Sequence, residues 1–353
     1  DLWGQRVLYD HKLMNSKATA KDPWAKAFAA KNDGGSGPYT IEKWEVGNEM
    51  VLKRFEKYWG PRPAIDRLIF RTIPNLSARV LLLKKGNIDV ALDIPIREMK
   101  SLKNDPNIRV LSTPTSKQLF IEMNANMKPF GNKDLRLALS YAFPYDDIIP
   151  AVYDGAATPG HGPIPTGYRG ALKERRYKTD LNKAKEHLKK SGLGEGLTLS
   201  LNWETGFTQH QRIGILFQDN LKKIGVNLKL QQLPRGQYNT GKRKRSMAFF
   251  FAEVLGWVSS PEYQNTINFS SESNVNYADY KNDRVDELLV NALKEPNAEK
   301  RAKMSDEIQE HIMNDVPFIF IAQPDDQLAM RKNVVGYVTQ NTLLPHFWMV
   351  DKK

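Results

Sequence analysis

Residues 209–231 read QHQRIGILFQDNLKKIGVNLKLQ. The first part, from about Gln209 to Lys223, has the character of a helix and stops at Gly225. Directly after the glycine, Val226, Leu228 and Leu230 alternate with Asn227, Lys229 and Gln231, the period of a half-buried strand. A helix that ends at a glycine and runs into a strand is the building step of an α/β chain. The same step recurs on both sides of this stretch.

Upstream, Thr179 or Asp180 caps a helix with Leu181, Ala184 and Leu188 on one face, stopped by Gly192. Lys133–Phe143 carries apolar residues at 135, 138, 139, 142 and 143, which is helical spacing. Thr158–Pro165 holds Pro159, Gly160, Gly162, Pro163 and Pro165, a composition that predicts a fixed loop without a regular element. Further back, Ile108–Leu111 and Leu119–Met123 read as strands. Ser77 is expected to cap a helix carrying Val80 to Leu83 that ends at Gly86, with Ile88–Leu92 following as a short buried strand. Leu68 to Ile73 alternates as a strand. Tyr39 to Trp44 and Val51 to Phe55, joined across Gly47-Asn48, read as a hairpin after the turn-rich loop 32–38.

Downstream, Tyr238 lies in a short helix, and the buried strand Met247–Leu255 follows. Val285–Leu293 and Ala298–Met313 are helical, Val316–Ala322 is a strand, and Val334–Val338 is a last candidate. Helices and strands thus alternate from end to end, and an α/β fold with mixed sheets is expected. With 353 residues, at roughly 150 per domain, two domains are expected.

Composition excludes several chemistries. The chain has no cysteine, so it has no disulfide scaffold, cysteine nucleophile or thiolate zinc site. Its nearly apolar stretches, Met247–Trp257 and Val316–Ala322, fall short of the roughly 18 residues of a bilayer span. No charged-then-apolar leader pattern follows Asp1, so a mature form or a fragment is expected. The net charge of +12 favours acidic partners in general. The one dense basic run, Lys242-Arg243-Lys244-Arg245, has no interleaved aromatic residue and reads as a solvated turn before the buried strand. Its rival reading is a polyanion or nucleic-acid site, which the spread of the other cations disfavours.

Catalytic patterns fail on inspection. None of the six histidines pairs with another at i, i+4, and no metal site is expected. Gly34-Gly35-Ser36-Gly37-Pro38 departs from the nucleophile elbow at Pro38. Gly192-Leu193-Gly194-Glu195-Gly196 lacks the lysine of a P-loop and misses the dinucleotide spacing. The chain is therefore expected to be no enzyme and to need no cofactor.

Several segments, taken in order, resemble the extracytoplasmic solute-binding proteins of the peptide and nickel class that serve ABC transporters. They are Gly35-Ser36-Gly37-Pro38-Tyr39 with Trp44, and Glu56-Lys57-Tyr58-Trp59-Gly60 with Pro63, Asp66 and Arg71. Lys85-Gly86-Asn87-Ile88-Asp89, then Pro129-Phe130 with Arg136, Ala138, Leu139 and Tyr141-Ala142, continue the set. Lys223-Ile224-Gly225-Val226, Gly256-Trp257, and Tyr280 with Asp283 to Leu288 complete it. Within the class the chain is most similar to dipeptide- and oligopeptide-type members.

The resemblance implies two lobes that close on a ligand: lobe one at 1–120 with 323–353 and lobe two at 121–322. The crossings would lie near 119–124 and 319–323. It also implies that the chain starts inside lobe one, because family members carry a further domain-sized stretch ahead of the position matching residue 1. The implied setting is periplasmic or extracytoplasmic. The implied partners are a peptide or other small ligand and an ABC permease, with the protein itself a monomer and no nucleic acid bound.

Peptide-binding members hold the ligand's ammonium with an Asp three residues after a Trp. Here Ser260 occupies that position, after Trp257, with Ser259 beside it and Glu262 two residues on. A neutral serine cannot balance an ammonium. Dipeptide binders hold the ligand's carboxylate with an Arg that here matches Glu204, a reversal of charge. The expected site is therefore Trp203, Glu204, Phe207, Trp257, Ser259, Ser260 and Tyr263, walled by the Pro-rich loop with Tyr168. Peptide is the default ligand; a cationic or sugar-like solute is the alternative that the two departures favour. His210 is expected to be a surface residue at a helix start.

Overall fold

In the computed structural model the described residues are 9–92, 94–194, 196–256, 258–338 and 347–353. The chain divides into two compact units, one of residues 1–111 and 327–353, the other of residues 112–326.

The first unit begins with α1 (His11–Lys17) and α2 (Lys26–Ala29). A three-stranded antiparallel meander follows, β1 (Tyr39–Glu45), β2 (Glu49–Arg54) and β3 (Arg67–Arg71). Next come α3 (Leu76–Lys85), β4 (Val90–Ala91), α4 (Ile96–Leu102) and β5 (Ile108–Thr113). After the second unit the chain returns through β12 (Asp326–Arg331), which lies between β4 and β5. Its last pair is β13 (Val334–Val335) with β14 (Asp351–Lys352). Leu83, Ala91, Met99, Leu102, Ile108 and Ala329 form one core of this unit.

The second unit is built on one six-stranded mixed sheet in the order β7-β11-β6-β10-β8-β9. Its strands are β6 (Gln118–Met123), β7 (Ala157–Pro159), β8 (Thr198–Glu204), β9 (Asn227–Leu233), β10 (Phe249–Val254) and β11 (Phe318–Pro324). The strands β8, β9 and β10 are parallel. The strand β6 runs antiparallel to β10 and to β11. Val254 therefore stands opposite Gln118, and Ala322 opposite Leu119. The carboxyl ends of β8, β9, β10 and β11 thus share one edge with the start of β6.

Helices α5 (Lys133–Ala142), α6 (Tyr145–Tyr153) and α7 (Leu181–Lys190) lie between β6 and β8 in the chain. Then come α8 (Thr208–Lys222), α9 (Arg235–Arg243), α10 (Pro261–Phe269), α11 (Asp283–Lys294) and α12 (Ala298–Asp315). On α8 the buried residues are His210, Ile213, Gly214, Phe217, Asn220 and Leu221, one stripe at helical spacing. Phe217 is fully buried against Phe143 and Phe249, with ring centroids 5.0 and 6.4 Å apart. The turn after α8 uses Gly225 at φ 80°, a left-handed conformation that costs other residues a Cβ clash.

Four local expectations are corrected. The cap of α3 is Asn75, whose side chain accepts from the Ala78 N–H, rather than Ser77. The strand expected over Ile88–Leu92 is regular only at Val90–Ala91, because Asp89 and Leu92 are exposed. The Pro-rich stretch is not wholly irregular: Ala157–Pro159 pairs with β11 at the sheet edge, where the missing N–H of a proline costs no ladder bond. The basic run is only partly a solvated turn: Lys244 and Arg245 form the turn, and Arg243 and Lys244 are exposed. Lys242 and Arg243 close α9, and Lys242 lies 4.8 Å from the Tyr238 ring and 5.2 Å from the Tyr277 ring. Arg245 pairs with Asp279 at 2.8 Å.

The chain passes between units at 111/112 and 326/327, within or beside β5 and β12. Residues 119–123 and 319–323 fall in the paired strands β6 and β11 of the second unit.

Candidate functional site: the carboxyl edge of the second sheet

Parallel strands place ligand groups at their carboxyl ends, where side chains from several loops converge. In the second unit this edge also receives the loop after β7. Thr166 anchors that loop. Its backbone N–H donates to Gln323 Oε1, and its hydroxyl donates to the Pro159 carbonyl at 3.0 Å. Gln323 in turn donates to the Thr115 carbonyl at 2.9 Å. The loop carries Tyr168, whose hydroxyl donates to the Gly256 carbonyl at 3.0 Å. Ser116 donates to the same carbonyl at 3.3 Å. A Cβ on Gly256 would lie 2.8 Å from Ser116 Oγ, so this close convergence requires a glycine.

Lys117, next to Ser116, reaches Glu253 at the end of β10, with Nζ 3.3 Å from Oε2. The other carboxylate oxygen of Glu253 is 3.4 Å from His210 Nε2. The His210 ring is stacked between Phe207 and Phe251, with centroids 4.9 and 4.7 Å away and planes within 10° and 8°. Tyr168, Gly256, Ser116, Lys117, Glu253, His210 and Phe207 therefore form one continuous line of contacts. Burial opposes ionisation of Glu253. The His210 hydrogen bond and the Lys117 charge outweigh it and hold the carboxyl at about 2. Facing an ionised carboxylate, His210 Nε2 is the donor.

His210 is thus not a surface residue. It is buried in phase with Ile213 and Phe217, and its Nε2 hydrogen-bonds the Glu253 carboxylate. Glu253, Lys117 and Ser116 were not foreseen. The signal available was a single carboxylate, Glu253, inside the otherwise apolar run FFFAEV.

Of the expected site residues, Tyr168 and Phe207 belong to this line and the other described ones are placed differently. Trp203 is buried in β8, part of the hydrophobic core of the unit. Phe250 stands opposite Asn202, so strand alternation puts Glu204 on the Phe250 face and Glu253 on the other. Glu204 lies 3.6 Å from Arg235 of α9, away from the Phe207–His210 stack. Ser260 caps α10, accepting from the Tyr263 N–H at 3.3 Å, and its hydroxyl donates to Glu262. Glu262 pairs with Arg301 at 3.4 Å. Ser259 is exposed. Burial, with the Tyr168 phenol nearby, raises the Tyr263 hydroxyl above its ordinary range. Trp257 lies outside the described residues.

Among the described residues no group of three His, Cys, Asp or Glu side chains could hold a metal ion. A half-buried line of aromatic, hydroxyl and paired charged groups on a rigid sheet edge has the character of a binding module. The family model for bacterial extracellular solute-binding proteins, family 5 Middle, matches residues 7–277. The chain belongs to this family.

It is similar to the glutathione-binding protein GsiB of Pectobacterium atrosepticum, 28% identical over 323 residues, covering 88% of this chain and 62% of the relative. It is also 27% identical over 323 residues to the probable D,D-dipeptide-binding periplasmic protein DdpA of Escherichia coli, covering 89% and 61%. The chain thus spans less than two thirds of the length of these curated relatives. Among solved structures, the periplasmic binding protein DppA of Helicobacter pylori in complex with the peptide STSA superposes with a TM-score of 0.86. It is 26% identical, over 98% of this chain and 68% of that one.

Proposed function

We propose that the chain is a solute-binding component of an ABC transporter, not an enzyme. It captures a small ligand, a peptide by default, and passes it to a membrane permease in a periplasmic or extracytoplasmic setting. The observation that carries this reading is the family match over most of the chain, joined to the continuous line of polar and aromatic groups from Tyr168 to Phe207. The relatives' names point to peptides and to glutathione, itself a peptide. We take the two units as the lobes that the resemblance implies, and capture as their closure on the ligand.

A non-peptide or cationic solute is the second reading. What favours it is Ser260: the position matched to the family's ammonium anchor is neutral, caps α10, and is bonded to Glu262. Glu204, at the position matched to a carboxylate-binding Arg, is paired with Arg235 and offers no cation to a ligand carboxylate.

A thermal-shift panel of short peptides, glutathione, polyamines and sugars tests the reading. A bound ligand at a hundredfold excess over Kd stabilises by about 2.7 kcal/mol. The reading fails if no solute class raises the melting temperature while a nucleic acid does so in a salt-dependent manner.

A further inference from the structure

We propose that Glu253 is an anchor for a cationic group of the ligand, and that Lys117 is an internal stand-in for that group, displaced when the ligand binds. The inference rests on the solute-binding reading above and names the ligand chemistry of that site.

The two partners of Glu253 are not equivalent. His210 is clamped: its side chain is 5% exposed, and two aromatic rings fix its plane. Lys117 is held by its ion pair at the tip of a flexible four-carbon stem. Its side chain is 26% exposed, and Glu253 is 21% exposed, so solvent and solute reach the pair. The Lys117 contact, at 3.3 Å, is also longer than the roughly 2.7–2.9 Å of a good charge-assisted hydrogen bond. A better-aimed ammonium or guanidinium can approach Oε2 more closely than Lys117 does.

The carboxylate stays ionised throughout the physiological range, because His210 and Lys117 outweigh its burial. A largely buried charge needs a cation beside it. In the ligand-free protein Lys117 fills that need. A ligand that carries its own cation can exchange with Lys117 at little net cost in charge pairing. A ligand without one would strand Glu253. The exchange therefore selects for a cation in the ligand. It does so at a residue other than Ser260 and on the sheet face opposite Glu204. The neighbouring rings Phe207 and Tyr168 supply the apolar surface beside the charge.

The test uses the full chain and three probes: tetra-alanine with a free amine, N-acetylated tetra-alanine, and spermidine. Calorimetry on the wild type and on Lys117→Gln reads the affinity. Removing the competitor should tighten free-amine peptide or spermidine by up to about fivefold, the order of one partly exposed ion pair. N-acetylated peptide should bind no better to the variant. Lys117→Arg should keep the wild-type affinity, and Glu253→Gln should abolish the preference for the free amine.

A readout on the wild type guards against a variant that misfolds: acylation of Lys117 by a soluble amine-reactive reagent, read by mass spectrometry, with the bound probe used as its N,N-dimethyl form, whose tertiary ammonium keeps the charge and does not consume the reagent. The probe that binds should raise Lys117 labelling, because displacement frees the amine. Weaker binding by Lys117→Gln, or protection of Lys117 by the ligand, makes Lys117 itself an anion anchor and overturns the proposal. So does equal affinity for free and acetylated peptide, or binding confined to solutes without a cation. If no solute of any class binds the wild type, the solute-binding reading itself has failed.

Discussion

Raising the pH through neutrality should destabilise the second unit through one residue, Glu122. Its side chain is 2% exposed in β6, between Phe250 of β10 and Phe318 of β11. Among the described residues Oε2 has no hydrogen-bond partner, while the backbone N–H of Ala278 supports the carboxyl. Lys242 and Tyr238 of α9, and Tyr277, are the titratable groups that act on it. Burial pushes the Glu122 carboxyl up to about 8, against the pull of the Lys242 charge and the Ala278 N–H. Burial likewise lowers the Lys242 ammonium.

Between the ordinary carboxyl value of 4.5 and about 8, the folded chain keeps a proton that the unfolded chain has lost. Stability is then full below the unfolded value and falls as pH rises, by about 1.4 kcal/mol per pH unit and by up to about 5 kcal/mol in all. Glu122→Gln keeps the shape and cannot ionise, so it lacks this slope. The assay is urea unfolding of both proteins by circular dichroism at pH 5, 6, 7 and 8. The variant should gain on the wild type by about 3.5 kcal/mol between pH 5 and pH 8, the linkage value over that span. Comparing the two proteins cancels the carboxylates whose values are lowered, Glu253 among them. A difference that stays constant with pH would refute the reasoning. It would mean that Glu122 is ionised in the fold and fully matched by Lys242.

Two further outcomes follow from packing. Gly225→Ala forces a Cβ onto a residue at φ 80° and should cost about 1 kcal/mol in urea unfolding, without changing the helical signal of α8. Arg136 is 7% exposed and donates to the Phe130 carbonyl at 2.6 Å and twice to the Asp315 carbonyl at 2.7 and 3.1 Å. Arg136→Met should therefore cost about 3 kcal/mol, whereas Arg284→Ala, which breaks only exposed pairs with Glu287 and Glu307, should leave the urea midpoint unmoved.

Local periodicity made most elements legible. The helix and strand of residues 209–231, the Gly47-Asn48 hairpin and the glycine stops at 86 and 225 all follow from short-range rules. What those rules cannot carry is strand order. In β7-β11-β6-β10-β8-β9, four of the five neighbouring pairs join strands far apart in the chain, and apolar runs such as Leu119–Met123 and Phe249–Val254 hold no mark of their partners. Local readings failed where tertiary contacts overrode composition. Ala157–Pro159 became an edge strand because β11 was there to pair with it. Lys242 left solvent because Tyr238 and Tyr277 offered their faces.

The site was less legible for a related reason. Of the residues expected from the family pattern, Ser260 serves as a helix cap, Trp203 as core, and Glu204 pairs with Arg235 on the other sheet face. The charges that the structure singles out lie in segments that read as purely structural. Glu253 and Glu122 each interrupt an apolar strand run, FFFAEV and LFIEM, and a carboxylate does not persist there without a paired cation or a held proton. The two glutamates take the two solutions. Each is next to last in its strand, but Glu253 is partly exposed, is reached by Lys117 and His210, and stays ionised, whereas Glu122 is buried between Phe250 and Phe318 and keeps its proton to about pH 8. Exposure and the nearness of cations, not position along the strand, thus separate the carboxylate that stays ionised from the one that holds its proton. A lone acid in an apolar run is the feature to follow first when the partners that pair it lie far away in the chain.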